Sequence, residues 1–305
     1  MLRIDPKETK TSILHSYLLH AVAPRPIAFA STVDKDGNPN LSPFSFFNVF
    51  SSNPPIAIFS PARSGRTGKT KNTLDNVKEV PEVVINVVNY DMVEQASLAS
   101  TEYPKGVNEF VKAGFTPIAS ELIKPFRVKE SPVQLECRVL DIIELGEQGG
   151  AGNLVVCEIA LIHVSDDVLD ENKNIDQHKI DLVARLGGNW YCRASGDSLF
   201  EVAKPLTTLG IGVDALPSHI RSSRILTGNN LGQLGNVEQL PTQEEVAGYS
   251  SSPAISEAFR DHGNDRQRLE DHLHRMAKKL LDEGDVNEAW KVLLSIEHHE
   301  SMNTK

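Results

Sequence analysis

The sequence predicts a mainly β domain, a barrel with helical insertions, followed by an arm and an α-helical hairpin. Between Arg25 and about Val164, short apolar runs rich in β-branched and aromatic residues alternate with Gly, Pro, Asn and Asp. Beyond about Ala203 strand-like runs become scarce, and from Leu269 apolar residues recur at helical spacing. With 40% hydrophobic and 24% charged residues among 305, the chain can build a core of globular type.

Residues 27–33 form the first strand, which ends at Asp34-Lys35-Asp36-Gly37; the Asp-Gly pair supplies the positive φ of a hairpin turn. Residues 40–50 return as a second strand, and 55–60 form a third after Asn53-Pro54-Pro55. Leu74 and Val77 mark a helix over 71–78, and 83–88 read as a strand buried on both faces. Two long strands, 133–145 and 154–164, flank the glycine-rich turn at 146–152. Six strands with a few helices give the barrel. Residues 205–248 hold many loop formers and read as an extended arm lying on the barrel or on a partner chain. A linker follows at 249–253, then the hairpin, which completes a third segment over 249–305. Leu269, Leu273, Met276 and Leu280 share one helix face up to Gly284, and Ala289, Trp290, Leu293 and Leu294 line the second helix. That stripe is a packing surface, or a seat for a partner helix.

Charge and cysteine content narrow the function. Thirty-one basic against 41 acidic residues give a net charge of −10, which argues against nucleic acid as main partner. No apolar run reaches the length of a membrane span or a signal peptide, so a cytoplasmic chain is expected. Cys137, Cys157 and Cys192 lack CxxC spacing and read as reduced, mostly buried thiols. His272 and His274 are two apart, and His298-His299 has no acid or cysteine arranged around it. Exposed surface histidines are therefore expected, and no metal site.

Gly65-Arg66-Thr67-Gly68-Lys69-Thr70 ends like a phosphate-cradling loop, but Arg63 stands where a nucleotide triphosphatase needs its first glycine. The loop still gathers Arg63, Arg66, Lys69 and Lys71 with Ser64, Thr67, Thr70 and Thr73 before a helix N-terminus. That composition suits a monophosphate, or else a solvated basic turn. No GxGxxG fingerprint follows a strand, so a dinucleotide would bind only transiently.

Several fragments fall in one order: Arg25-Pro26-Ile27-Ala28, Asp36-Gly37, the run Asn40-Leu41-Ser42-Pro43-Phe44-Ser45-Phe46-Phe47-Asn48, Asn53-Pro54-Pro55-Ile56 and Lys71-Asn72-Thr73-Leu74-Asp75-Asn76. Tyr103-Pro104-Lys105-Gly106-Val107-Asn108-Glu109-Phe110, Ile162-His163-Val164 and Ala184-Arg185-Leu186-Gly187-Gly188-Asn189-Trp190-Tyr191 continue it. In this order the chain resembles the flavin reductase-like family of FMN-binding split barrels, over about two-thirds of its length and with 1–204 as the flavin domain. The resemblance implies a homodimer that binds FMN and reduces it, or a free flavin, with NADH or NADPH. It implies that Ser45, Phe46, Phe47 and Asn48 lie along the flavin ring, and that Ser60, Ala62, Arg63, Lys71 and Thr73 hold the ribityl chain and phosphate. The family usually has Lys-Asp-Thr where this chain has Lys71-Asn72-Thr73, so Asn72 departs from the pattern; Arg25 and Ser31 are weaker candidates.

His163 has two readings, a buried histidine satisfied by a neighbouring carbonyl, or an imidazole beside the flavin that orients the nicotinamide or a substrate carbonyl. Arg185 with Gly187, Gly188 and Tyr191 is either part of the ring site or support for the dimer interface. The functions that follow are an FMN-dependent oxidoreductase, the reductase half of a two-component monooxygenase, or a non-catalytic flavin-binding or partner-recruiting protein.

Overall fold

A computed structural model describes residues 1–303 and divides the chain into two compact units, Met1–Phe200 and a second from Glu201 onward. In the first unit, helix α1 (Thr11–Ala21) precedes strands β1 (Ala28–Val33), β2 (Pro39–Phe44), β3 (Phe47–Ser52) and β4 (Pro55–Phe59). Helix α2 (Asn72–Glu79), strand β5 (Glu82–Val87), helices α3 (Val93–Leu98) and α4 (Glu109–Ala113), and a short pair β6 (Pro117–Ile118) and β7 (Arg127–Val128) come next. The long strands β8 (Val133–Glu144) and β9 (Asn153–Val164), helix α5 (Gln177–Ile180) and a second short pair β10 (Val183–Arg185) and β11 (Tyr191–Arg193) complete the unit.

Seven strands form one antiparallel sheet in the order β2-β1-β5-β8-β9-β4-β3. The β1–β2 hairpin turns as expected: Gly37 has φ 85° and Asp34 Oδ1 accepts from the N–H groups of Asp36 and Asn38. Strand β1 is buried along its whole length because successive side chains feed two cores. Ala28 and Ala30 join Phe59, Leu74, Val77 and Ile85 on one side, and Phe29 joins Leu41, Met92 and Phe110 on the other. Helix α2 docks on the first of these cores through Leu74 and Val77, as their spacing predicts.

The expected strand over 40–50 is two strands. The chain leaves β2 after Phe44, passes through Ser45 and Phe46, and enters β3 at the opposite edge of the sheet. Arg25 Nε donates to Ser45 Oγ (3.3 Å) and the Ser60 N–H donates to the Phe46 carbonyl (2.8 Å), so contacts distant in sequence make the crossing. Laid flat, seven strands about 4.8 Å apart would separate β2 from β3 by about 29 Å. Three peptide units between Phe44 and Phe47 reach at most about 11 Å. The sheet therefore curls until its edges approach, with no ladder between β2 and β3 among the described residues.

In the second unit the expected extended arm is replaced by helices. Residues 205–248 contain α6 (Ser218–Arg221), α7 (Gly228–Gly235) and most of α8 (Gln243–Ser250), followed by α9 (Pro253–His262), α10 (Arg266–Asp282) and α11 (Val286–Asn303). The expected linker thus shrinks to Ser251 and Ser252 between α8 and α9. Thr227 with Asn230, and Thr242 with Glu245, form capping boxes that start α7 and α8. Leu216, Ile220, Leu226 and Leu234 pack into one core with Leu269, Leu273, Trp290 and Leu293, so the arm residues belong to that core. On α10 the fully buried stripe runs through Leu269, Leu273, Ala277 and Leu281, while Met276 and Leu280 lie partly exposed at its flank. Gly284, at φ 90°, ends the helix as expected.

His274, expected on the surface, is buried in this core with only 3% exposure, its ring stacked 6.0 Å from that of His219. Ser223 Oγ lies 2.8 Å from His274 Nδ1, and the buried His274 Nε2 has no hydrogen-bond partner among the described residues. Burial, and then His219, hold His274 below the ordinary 6.5, against weaker opposition from Glu270 and Asp271. The folded state thus favours the neutral ring, and its contribution to stability is complete above pH 6.5 and lost as pH falls below that value. The expected result is an unfolding free energy of the helical unit that drops between pH 7 and pH 5, with a slope from this residue of at most ~1.4 kcal/mol per pH unit, and that flattens in His274→Gln. Circular dichroism melts across that range check it; an equal slope in both proteins would contradict it.

Candidate active site

Strand β2 forms the floor of an elongated groove in the first unit. Asn40 and Ser42 line a polar cleft of about 360 Å³, and Pro43 and Ser45 line a narrower cavity of about 190 Å³ further along the strand. Five residues of extended chain separate Asn40 from Ser45 by about 17 Å. The facing wall is α3 and the segment that follows it, and Ser100 lines both spaces.

The polar cleft lies at the start of α2. Its lining includes Lys69, Lys71 and Lys105 with the hydroxyls of Ser64, Thr67, Thr70 and Thr73. Lys71 occupies the position before the first helical residue and makes no side-chain cap, so the first turn keeps donors for an anion. Asn40 Nδ2 donates to Thr73 Oγ1 (2.9 Å), fixing floor and helix together. Lys71 Nζ donates to Glu102 Oε1 (2.6 Å) and Arg66 Nη2 to Glu102 Oε2 (2.8 Å), and these contacts, Lys71 first, hold the Glu102 carboxyl below the usual range. At the cleft's inner edge the buried Glu109 accepts the Leu41 N–H (3.0 Å); burial pushes this carboxyl up.

The narrower cavity is mixed, with the apolar Ile27, Pro43, Val93 and Ala96 beside Ser45, Ser97, Ser100, Arg185 and Tyr191. Arg185 lies over the Tyr191 ring, 4.5 Å from its centroid, and donates to Tyr191 Oη (2.7 Å) and to the Gly188 carbonyl (2.9 Å). The buried Arg25 organises this end: besides Ser45 it donates to the carbonyls of Leu19, Val22 and Leu186, tying α1 to the β10–β11 turn. Burial, and then Arg185, lower the Arg25 pKa, so two guanidiniums share this end, neither of them within 4.0 Å of a carboxylate among the described residues. Beyond Tyr191 a further cavity of about 200 Å³ is lined by Tyr90, Glu94, Cys192 and Arg193.

Of the residues expected from the sequence, Lys71 and Thr73 meet in the polar cleft, and Ser45, Arg185 and Tyr191 in the narrow cavity. Others lie elsewhere. Arg63 turns to Glu144 (2.9 Å) and the Gly146 carbonyl (3.3 Å) at the β8–β9 turn, where its charge is already paired. Ser60 Oγ accepts the Asn153 N–H (3.0 Å), and Ala62 lies beside it on the same connection. Phe46 is 40% exposed, Phe47 packs on the sheet core and Asn48 is exposed on β3. A Cβ at Gly187 would overlap the His20 ring, which accounts for glycine there, and Gly188 takes φ 57°.

His163 Nε2 lies 2.8 Å from Glu136 Oε1, a carboxylate rather than the carbonyl of the bland reading, and lines neither space. Burial opposes ionisation of Glu136, but the N–H groups of Glu121 and Leu122, with His163, outweigh it and hold the carboxyl low. Cys137 and Cys157 are buried and their thiols are pushed up by burial, that of Cys157 to about 12; Cys192 is partly exposed. Sequence reasoning missed the facing wall, Ser97, Ser100, Glu102 and Lys105. A run of hydroxyls at 97, 100 and 101 was the available signal.

A curled antiparallel sheet carrying this groove defines the class, and the chain belongs to the flavin reductase like domain family, whose model matches residues 20–181. The helical unit lies outside that match. An uncharacterized protein of Aquifex aeolicus is 39% identical over 196 residues, 64% of this chain and 97% of the relative. Nitrilotriacetate monooxygenase component B from Bacillus cereus superposes with a TM-score of 0.61 at 30% identity, covering 66% of this chain and 98% of that one. A Shewanella frigidimarina protein described as a flavin reductase with a split barrel domain gives 0.56 at 25% identity, over 67% and 100% of the two chains. Among the described residues no helix is long and apolar enough to cross a membrane.

Proposed function

We propose that the protein is an FMN-binding oxidoreductase that passes hydride from NADH or NADPH to flavin. One observation carries this reading: β2 and the residue after it line both a cleft of cations and hydroxyls and a narrower cavity with an Arg–Tyr stack, over a stretch from Asn40 to Ser45 of about 17 Å. A ligand with a phosphate at one end and a flat ring at the other matches both poles.

When bound, the flavin supplies the hydride chemistry. The residues of the chain bind and orient. Lys71, Lys69 and Thr73 offer charge-assisted and hydroxyl hydrogen bonds to a phosphate before α2. Ile27, Pro43, Val93 and Ala96 would shield a bound ring from water, and Arg185 would place positive charge where a reduced ring gathers negative charge, while Arg25 holds Ser45 from behind the cavity. Hydride transfer itself depends chiefly on alignment, so no proton-moving residue is required.

Likeness to a monooxygenase component B at 30% identity favours a second reading, in which reduced flavin leaves for an oxygenase. We further propose a homodimer through the unpaired edge of β3, where Val49 and Phe50 are exposed beside Phe46; sedimentation as a monomer at micromolar concentration would exclude it. The catalytic reading is tested by mixing FMN-loaded protein with NADH or NADPH without oxygen. Rapid bleaching of the flavin's visible absorbance is expected, and unchanged absorbance with both would leave only a non-catalytic flavin carrier. Release of reduced flavin into an ultrafiltrate would separate the component reading from a self-contained oxidase.

A further inference from the structure

We infer that Glu102 is a built-in competitor for the ligand's phosphate, which keeps flavin exchangeable. The inference rests on the phosphate reading of the polar cleft and adds how tightly that cleft holds its ligand.

Glu102 reaches the cleft from the wall facing α2, and its two carboxylate oxygens take one cation each, Lys71 at 2.6 Å and Arg66 at 2.8 Å. A carboxylate and a phosphate present the same chemistry to these donors, anionic oxygens that only accept. Lys71 keeps further N–H donors beside the one given to Glu102, so a phosphate held there shares the ammonium with the carboxylate and lies against its negative charge.

The contact is built to yield. Glu102 is 45% exposed and Arg66 83% exposed, and an ion pair so open to water is held weakly. A monophosphate dianion brings more charge and more acceptors than the carboxylate, so it wins the contest at a reduced margin. Lys69 and Lys105 also line the cleft and have no carboxylate within 4.0 Å among the described residues, so an arriving anion meets them as unpaired charge. Among the described residues its carboxylate accepts hydrogen bonds from these two cations and no other group. A purely structural ion pair would tie the walls together and would help, not hinder, a ligand lying between them.

These two roles give opposite signs. Fluorescence titration of the full-length protein with FMN and with riboflavin, for wild type, Glu102→Gln and Glu102→Ala, separates them. The expected result is FMN binding about tenfold tighter in both variants, retention of FMN through gel filtration where wild type loses it, and riboflavin affinity unchanged. FMN affinity unchanged or weaker in both variants, while wild type still prefers FMN to riboflavin, would overturn the inference and leave the phosphate reading standing. Equal affinity of wild type for FMN and riboflavin would overturn that reading, and the inference with it.

Discussion

Replacing Lys71 by alanine is expected to weaken FMN binding about 10- to 100-fold while leaving riboflavin binding unchanged. Lys71 stands at the position before α2, lines the polar cleft and makes no helix cap, so the helix itself loses nothing when the side chain is cut back. What disappears is one charge-assisted hydrogen bond to phosphate, worth roughly 1.5–3 kcal/mol. The side chain is 32% exposed, so screening by water favours the lower half of that range. Fluorescence titrations with both ligands give the ratio directly. A Lys71→Ala protein that binds both ligands more weakly by the same factor has lost its fold or its ring slot, and equal retention of both places the phosphate elsewhere.

Trp290→Ala is expected to destabilise the helical unit by about 3–5 kcal/mol, a large part of the stability a small domain possesses. The ring is fully buried among α7, α10 and α11, and its Nε1 donates to the Leu234 carbonyl (3.2 Å). Removing it opens a cavity and leaves that carbonyl without its donor. The core that Trp290 serves draws on residues from Ile211 onward, whereas the groove is built from residues before Phe200. Helical ellipticity at 37 °C is therefore expected to fall in the variant, with FMN affinity kept. Trp290→Phe, which keeps most of the volume, should lie between the two; simultaneous loss of helix and of flavin binding would contradict the separation of cores.

Local signals were legible in the sequence and long-range ones were not. Asp36-Gly37 announces its hairpin because a tight turn is decided by its own residues, and Leu74 with Val77 announces α2 because a helix repeats its buried face. The break at Ser45 and Phe46 is invisible in the same way that it is made, by Arg25 and Ser60 arriving from elsewhere in the chain. Helix α1 shows no apolar periodicity worth reading, since none of its residues is buried. Residues 205–248 were misread through composition: their glycines look like loop, yet Gly235 lies in α7 where a Cβ would crowd the backbone at Gly212 and Val213, and the capping boxes at Thr227 and Thr242 carried the better signal.

The candidate site divides along the same line. Lys71 and Thr73 follow from a local cluster before a helix, and they sit in the cleft. Arg63 belongs to that cluster in sequence but pairs with Glu144, 81 residues away, a choice that only the folded chain reveals. Glu102 and Ser100 come to the groove because α3 and the segment after it face β2; the hydroxyls at 97, 100 and 101 mark a polar stretch, but not the strand that it meets.

The decisive measurement is the affinity of the purified wild-type protein for FMN set beside its affinity for riboflavin, which carries the same ring without the phosphate. A groove with a phosphate pole at Lys71 and a ring pole at Arg185 gives FMN an advantage of about 150-fold or more, the worth of two charge-assisted hydrogen bonds at roughly 1.5 kcal/mol each, and inorganic phosphate should erode it. Identical affinities, or no binding of either, would contradict it.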